Sequence, residues 1–385
     1  MIPYGRQSIS DEDIDNVTKI LKSDFLTQGP VVPKFEDAIN AVTGSKFCIA
    51  ANSATSCLHL GCMSLGISQG DIVWTSPISF VASANAALYC GAKVDFVDID
   101  RKTFNICPET LEKKLKSAKS KGLMPKLLIV VHMCGNPSDM KSIYDLSIKY
   151  KFKIMEDASH AIGSKIGSLK TGSCKYSDLC VFSFHPVKII TTGEGGVITT
   201  NDEELAETIR SLRSHGITRD SSKFKYKEEG PWYYEQQLLG CNYRLTDIQA
   251  ALGLSQLNNL KKFLEKRNKL AKSYKENLSN LPVHFQKIPK GNYSSYHLFV
   301  LSIDSSITAK KRIDLYKHMH KNNIVTNVHY IPIHLQPFYS SLGFRKGDFP
   351  KSEDYYKNSI SIPLFPSMTD GMLEKVITSV HSFFW

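Results

Sequence analysis

Between about residues 45 and 200, short apolar runs rich in β-branched residues alternate with stretches whose apolar positions recur every three or four residues. Seven runs read as strands: FCIA (47–50), DIVWT (71–75), KVDFV (93–97), KLLIVV (126–131), FKIME (152–156), LCVFSF (179–184) and GVITT (196–200). Helical patterns fall between several of them, at 53–66, 79–90, 108–118 and 138–150. Strands that are apolar along their whole length are buried on both faces. Interleaved with helices, they predict an α/β fold with a mainly parallel sheet between helical layers. The texture changes at about 246. Residues 246–279 read as one long helical stretch, with Thr246 as cap and Asp247 in the first turn. Beyond Pro282 come a strand at 297–303, a helix near 308–322 and a loop rich in His and Pro at 327–339. The expectation is a large domain over 1–245 and a smaller α+β domain over 246–385.

Composition changes this picture little. At 385 residues, 42% hydrophobic and 22% charged, the chain is of ordinary globular type. It has no apolar run of the roughly 18 residues that would suggest a membrane span. The opening MIPYGRQSISDEDID lacks the charged-then-apolar pattern of a signal peptide, so a cytoplasmic location is expected. Nine cysteines are scattered without a CxxC pair, which argues against a disulfide framework or a zinc site, and no metal is expected. The net charge of +11 draws on lysine-rich stretches at 112–126 and 261–276. These read as solvated helix faces or as attraction for an anionic partner. No helix-turn-helix, finger or aromatic-basic stretch points to nucleic acid, and a small phosphorylated ligand suits the charge.

In such sheets ligands gather at the carboxyl ends of the strands. The end of 47–50 opens onto Asn52, Ser53, Ala54 and Thr55 at a helix start, and that of 71–75 onto Ser79 and Phe80. The end of 152–156 delivers Asp157 and His160, and that of 179–184 delivers Ser183, His185 and Lys188. Each has a plain reading as cap, turn, core or solvated residue. Together they match the needs of pyridoxal 5'-phosphate: a lysine for its Schiff base, a carboxylate for the pyridine nitrogen, a helix N-terminus for the phosphate and an aromatic face for the ring.

The motifs LTQGP (26–30), NSATSCLHL (52–60), SPISFVASAN (76–85), EDASHAIGS (156–164), FSFHPVKIITTGEGG (182–196), RSHG (213–216), NYRLTDIQAALGLSQL (242–257) and VHYIPIHLQPFY (328–339) resemble, over nearly the whole chain, those of the DegT/DnrJ/EryC1/StrS sugar aminotransferases, fold type I pyridoxal phosphate enzymes. The resemblance implies that Lys188 forms the Schiff base, Asp157 pairs with the pyridine nitrogen and Phe80 stacks on the ring. It places Ala54, Thr55 and Ser183 on the phosphate and His160 near the phenolic oxygen. Asn242 would reach the cofactor of a neighbouring subunit, which implies a homodimer with shared sites. Tyr4, the loop residues Asp24, Phe25, Leu26 and Thr27, and His329 and Tyr330 are implied as sugar-nucleotide contacts. Relatives that carry histidine in place of the lysine are sugar dehydratases; here Lys188 is present, and His185 lies three residues earlier. Gly193 stands where some members have alanine. Within the family the motifs look closest to members that aminate a UDP-linked 4-keto-6-deoxy-N-acetylhexosamine with L-glutamate as donor. Amination of another 4-keto nucleotide sugar, dehydration, and a non-enzymatic regulatory role are the alternatives.

Overall fold

The computed structural model describes residues 1–385. Its central sheet contains the seven expected strands: β1 (Phe47–Ala51), β2 (Ile72–Thr75), β3 (Lys93–Phe96), β4 (Leu127–Val131), β5 (Lys153–Asp157), β6 (Leu179–Ser183) and β7 (Gly196–Thr200). Their spatial order is β1-β7-β6-β5-β4-β2-β3. Only β7 runs against its neighbours, pairing antiparallel with both β1 and β6. The reversal follows from the short connection between β6 and β7. A parallel return needs a crossover, usually helical, whereas residues 184–195 form a closed loop. Phe184 N–H donates to Gly195 O (2.9 Å) and Thr192 N–H to Phe184 O (3.0 Å), so the loop is pinned at its base.

Helices α1 (Asp11–Leu21), α2 (Val31–Thr43), α3 (Ala54–Ser64), α4 (Ala82–Tyr89), α5 (Pro108–Lys121), α6 (Met140–Tyr150) and α7 (Glu203–Arg213) accompany the sheet. One face of the sheet packs on α3, α4 and α7 through residues such as Leu58, Ala86 and Ile209. Part of the other face packs on α2 through Phe35 and Ile39. The expected 246–279 helix is two helices, α8 (Asp247–Asn258) and α9 (Leu260–Leu278), broken at Asn259. Two consecutive asparagines, both weak helix formers, mark the break. Helix 79–90 begins three residues later than expected because Ser79–Val81 form the turn that leads into it.

The smaller sheet is β8 (Val283–Phe285), β9 (Phe299–Ile303) and β10 (Ser359–Ile362), in the order β8-β9-β10 and antiparallel. It packs on the second half of α9 and on α10 (Arg312–Lys321) and α12 (Asp370–Phe384); α11 (Pro350–Asn358) lies between α10 and β10 in the chain. The two units interleave more than a cut at 245 implies. Ala250 of α8 and Phe263 of α9 belong to the large core, whereas Leu270 and Tyr274 of the same α9 belong to the small one, together with Ile2.

Arg267 sits at this junction on α9. It is buried without a carboxylate partner, and its Nη1 donates to the carbonyls of Tyr296 (3.2 Å), His297 (3.2 Å) and Leu364 (3.0 Å). Burial pulls the guanidinium down to about 10. The segment it holds is tied to the large domain: Ser295 Oγ donates to His160 O (2.8 Å) and His297 N–H to Cys134 O (3.0 Å). Thus the small domain is clamped to the loops that follow β4 and β5, where the site lies.

Candidate active site

A cleft of about 600 Å³ opens at the carboxyl edge of β1, β5 and β6. Its wall contains Ala54, Thr55, Phe80, Asp157, His160, Ser183 and Lys188, together with Tyr4, His329 and Tyr330. The sequence-predicted cofactor residues of one chain are therefore brought to one place, Asn242 apart.

At one end is the start of α3. Ser53 caps it, accepting from Ser56 N–H (3.0 Å). The first N–H groups of a helix have no carbonyl of their own to donate to, so those of Ala54 and Thr55 remain for an anion. Gly196 makes the packing behind them possible. It opens β7 opposite Ala51, and a Cβ there would lie 2.6 Å from Ala54 N and 2.9 Å from Phe182 O. The glycine turn before it has a different function at each position: Gly193 takes a positive φ of 78°, whereas Gly196 permits close approach.

At the other end is Asp157, buried at the last position of β5 and level with Val131 and Val181. Ser83 Oγ–H donates to its Oδ2 (2.6 Å) and Ser159 N–H to its Oδ1 (3.2 Å). Lys188 projects from the β6–β7 loop. Burial pushes its amine down to about 8, against the upward pull of the Asp157 carboxylate. The loop is self-bonded: Thr191 Oγ1–H donates to Phe184 O (2.9 Å) and Thr192 Oγ1–H to Glu194 O (2.7 Å). His185, by contrast, is exposed at the rim.

Besides His185 at the rim, three histidines line the cleft wall. His160 Nε2 is hydrogen-bonded to Tyr330 Oη (3.1 Å), and the His160 ring lies 4.4 Å from that of His297. His329 Nδ1 is bonded to Ser361 Oγ (2.8 Å). Burial, with Lys188 nearby, drives His160 well below the ordinary histidine value and His329 to about 3. Burial lowers His297 likewise, with His160 and then Lys188 adding to it. All three rings are neutral at pH 7. Nδ1 of His160 and Nδ1 of His297 are buried without a partner. Phe80 stands at the mouth, 59% exposed, its ring 6.2 Å from that of Tyr330. A large aromatic with a free face in a cleft is suited to stacking on a flat ligand.

Five predicted residues lie elsewhere. Asp24, Phe25, Leu26, Thr27 and Asn242 are exposed and do not line their own chain's cleft. They are nonetheless close in the fold, because the extended segment 242–246 bridges Asn242 to Ser214, Arg244 to Ala51 and Thr246 to Thr27. Conversely, His297, Asn327, Glu194 and Ser83 belong to the site or its support and were not singled out by sequence reasoning. His297 and Asn327 come from the small domain. Ser83 falls within the 76–85 motif, but a serine in the first turn of a helix points to no partner by itself. Lys188 is the one lysine or arginine in the cleft wall, so the positive surplus of the chain lies outside it.

No helix is long and apolar enough to cross a membrane. The free amides at the start of α3, the buried carboxylate, the amine between helical and strand ends, and the free aromatic face fit pyridoxal phosphate by donor chemistry. Comparison with known proteins agrees. The profile of the DegT/DnrJ/EryC1/StrS aminotransferase family matches residues 7–381. The UDP-4-amino-4,6-dideoxy-N-acetyl-beta-L-altrosamine transaminase of Campylobacter jejuni serotype O:2 is 39% identical over 371 residues, 96% of this chain and 93% of the relative. The spore coat polysaccharide biosynthesis protein SpsC of Bacillus subtilis is 36% identical over 385 residues, covering 99% and 96%. The solved Helicobacter pylori PseC, an aminotransferase involved in pseudoaminic acid biosynthesis, superposes with a TM-score of 0.88 at 32% identity, covering 100% of this chain and 99% of that one. The chain belongs to the DegT/DnrJ/EryC1/StrS aminotransferase family and is a pyridoxal-phosphate-dependent sugar aminotransferase.

Proposed function

We propose that this aminotransferase moves the amino group of L-glutamate to the C4 ketone of a UDP-linked 4-keto-6-deoxy-N-acetylhexosamine. The product is UDP-4-amino-4,6-dideoxy-N-acetyl-β-L-altrosamine, an intermediate for pseudaminic acid. The observation that carries the substrate assignment is the 39% identity to the C. jejuni altrosamine transaminase over nearly the whole chain. The bound cofactor supplies an aldehyde that carries the amino group and a ring that draws electrons from the carbon bearing it. Lys188 Nζ would hold that aldehyde at rest. When freed, it takes the proton from Cα of glutamate and later returns one to C4 of the sugar. Asp157 would hold the ring nitrogen in its protonated form, Ala54 and Thr55 with Ser183 would hold the phosphate, and Phe80 would cover the ring. His160, kept neutral by burial, would stand by the ring oxygen.

Tyr4, His329 and Tyr330 line the space beside Lys188 and are the proposed sugar contacts within the chain. A dianionic nucleotide and a dicarboxylate donor both need positive or N–H partners, and the cleft wall offers no arginine. This supports the reading that a second copy completes the site. The copies would meet through the exposed Phe25, Leu26, Leu238 and Leu239, with Asp24–Thr27 and Asn242 reaching the partner's cleft. Incubation with glutamate and a panel of 4-keto nucleotide sugars tests the assignment. The L-arabino-configured UDP-N-acetyl ketone is expected to give the highest kcat/KM. A preference for a GDP-linked ketone or for another UDP-GlcNAc-derived ketone would overturn it.

Two further outcomes follow from the geometry. Gly196→Ala drives a methyl into the start of α3. It is expected to raise the Kd for pyridoxal phosphate roughly tenfold, the value of one hydrogen bond to a charged group, in an absorbance titration of the apo-protein. An unchanged Kd would separate that helix start from the phosphate. The second concerns pH. An ammonium cannot attack an aldehyde, so borohydride-trappable attachment at Lys188 should speed up as pH rises, with its midpoint at about 8. A midpoint near the ordinary lysine value of about 10.4 would contradict the burial of the amine.

A further inference from the structure

Asp157 Oδ2 receives the hydroxyl of Ser83 at 2.6 Å, and Ser83 Oγ lies 2.6 Å from Ser79 Oγ. Ser83 is wholly buried and Ser79 nearly so. A hydroxyl carries one proton, and an ionised carboxylate only accepts, so the Ser83 proton points to Asp157 and Ser79 must donate to Ser83. The chain of bonds therefore has a direction: Ser79 O–H to Ser83, Ser83 O–H to Oδ2. Oδ1 receives only Ser159 N–H at 3.2 Å and retains acceptor capacity.

The serine has no reason of its own to be in that helix. α4 reads ASANAALY, and its buried neighbours Ala82, Ala84, Ala86 and Ala87 are the best of helix formers. A serine inside a helix ordinarily bonds back to a carbonyl one turn earlier or faces solvent. Ser83 instead reaches a carboxylate 74 positions away in sequence.

We infer that Ser83, oriented by Ser79, is a positioning residue that occupies Asp157 Oδ2, fixes the rotation of the carboxylate and reserves Oδ1 for the ring N–H of the cofactor. This rests on the reading of Asp157 as the ionised ring partner. Ser79 Oγ has Ser83 as its one hydrogen-bond partner, and bonds that run in one direction reinforce one another, so Ser79 acts on Asp157 through Ser83.

The test compares wild type, Ser83→Ala, Ser79→Ala and the double variant as dimer-competent full chains. Three quantities are read: the Kd of the apo-protein for pyridoxal phosphate, the pH midpoint of the bound cofactor's visible band, and kcat with KM. Ser83→Ala is expected to lower kcat roughly tenfold while both KM values stay within about twofold, and to move the band's pH midpoint. Ser79→Ala is expected to give a smaller change in the same direction, and the double variant to match Ser83→Ala alone. An unmoved pH midpoint and kcat in Ser83→Ala, or effects of the two single variants that simply add, would overturn the inference. Should Ser83→Ala not fold, the band of Ser79→Ala decides: a shifted midpoint supports the relay and an unshifted one sinks it. Wild type that takes up no pyridoxal phosphate would overturn the aminotransferase reading itself, and the relay with it. Normal uptake with unaltered variants removes the relay alone.

Discussion

Lys188→Ala is expected to lower transamination by roughly 10²–10⁴-fold, the range by which a positioned general acid–base acts, and to abolish the borohydride-stable link between protein and cofactor. The expectation comes from where the amine is held. The loop that carries it is closed at its base by Phe184 and Gly195 and braced within by Thr191 and Thr192, so the position of Lys188 does not depend on its own side chain. Removing the amine therefore leaves the scaffold, and circular dichroism should remain that of the wild type. The cofactor should still bind through its phosphate, because the start of α3 is a separate element. Activity within a few-fold of wild type would show that another group moves the proton. No other amine lines the cleft, its three inner histidines are buried and neutral, and the fourth, His185, stands exposed at the rim.

Asp157→Asn is expected to lower kcat by roughly 10²–10³-fold, comparable to removing a preorganised electrostatic contact at developing charge. An amide keeps the shape of the carboxylate but not its charge, and it cannot hold the ring nitrogen in its protonated form. A second effect has a definite sign. Asp157 pulls the Lys188 amine upward against burial, so its neutralisation should move the midpoint of lysine attachment below about 8. The two readouts separate two roles of the carboxylate. A loss of kcat with an unmoved midpoint would mean that it acts on the ring without influencing the lysine. A normal kcat would remove Asp157 from the mechanism. Stopped-flow mixing of apo-protein with cofactor across pH, beside steady-state kinetics, measures both.

Much of this site was legible in the sequence, for a physical reason. Asp157, Ser183, Ala54 and Thr55 sit within a few residues of strand ends, and a strand's apolar run fixes where it stops. The sheet then converts one-dimensional position into proximity. Lys188 was legible only in company: alone it reads as a solvated loop lysine, and the strand ends that also deliver Asp157, Ser53–Thr55 and Phe80 single it out. Ser83 was not, since its partner is chosen by packing between α4 and β5. His297 was not, because the small domain delivers it through the Arg267 clamp, a contact between distant parts of the chain. The antiparallel course of β7 was not read from the sequence, since the β6–β7 connection shows its closed course only through its backbone bonds, and the break at Asn259 lies inside a stretch that reads as continuous helix. The loop at 24–27 overlaps the LTQGP motif yet lies outside its own chain's cleft, a placement that the motif alone does not reveal.

The central claim is that an amino group passes from glutamate to the sugar ketone in this cleft. Single-turnover transfer from ¹⁵N-glutamate, followed by mass spectrometry of the nucleotide sugar, tests it most directly. The account predicts that the label appears in a new C4 amine, with one 2-oxoglutarate formed per amine, and that Lys188→Ala yields neither. Consumption of the ketone without incorporation of ¹⁵N, as a dehydratase would give, would contradict it.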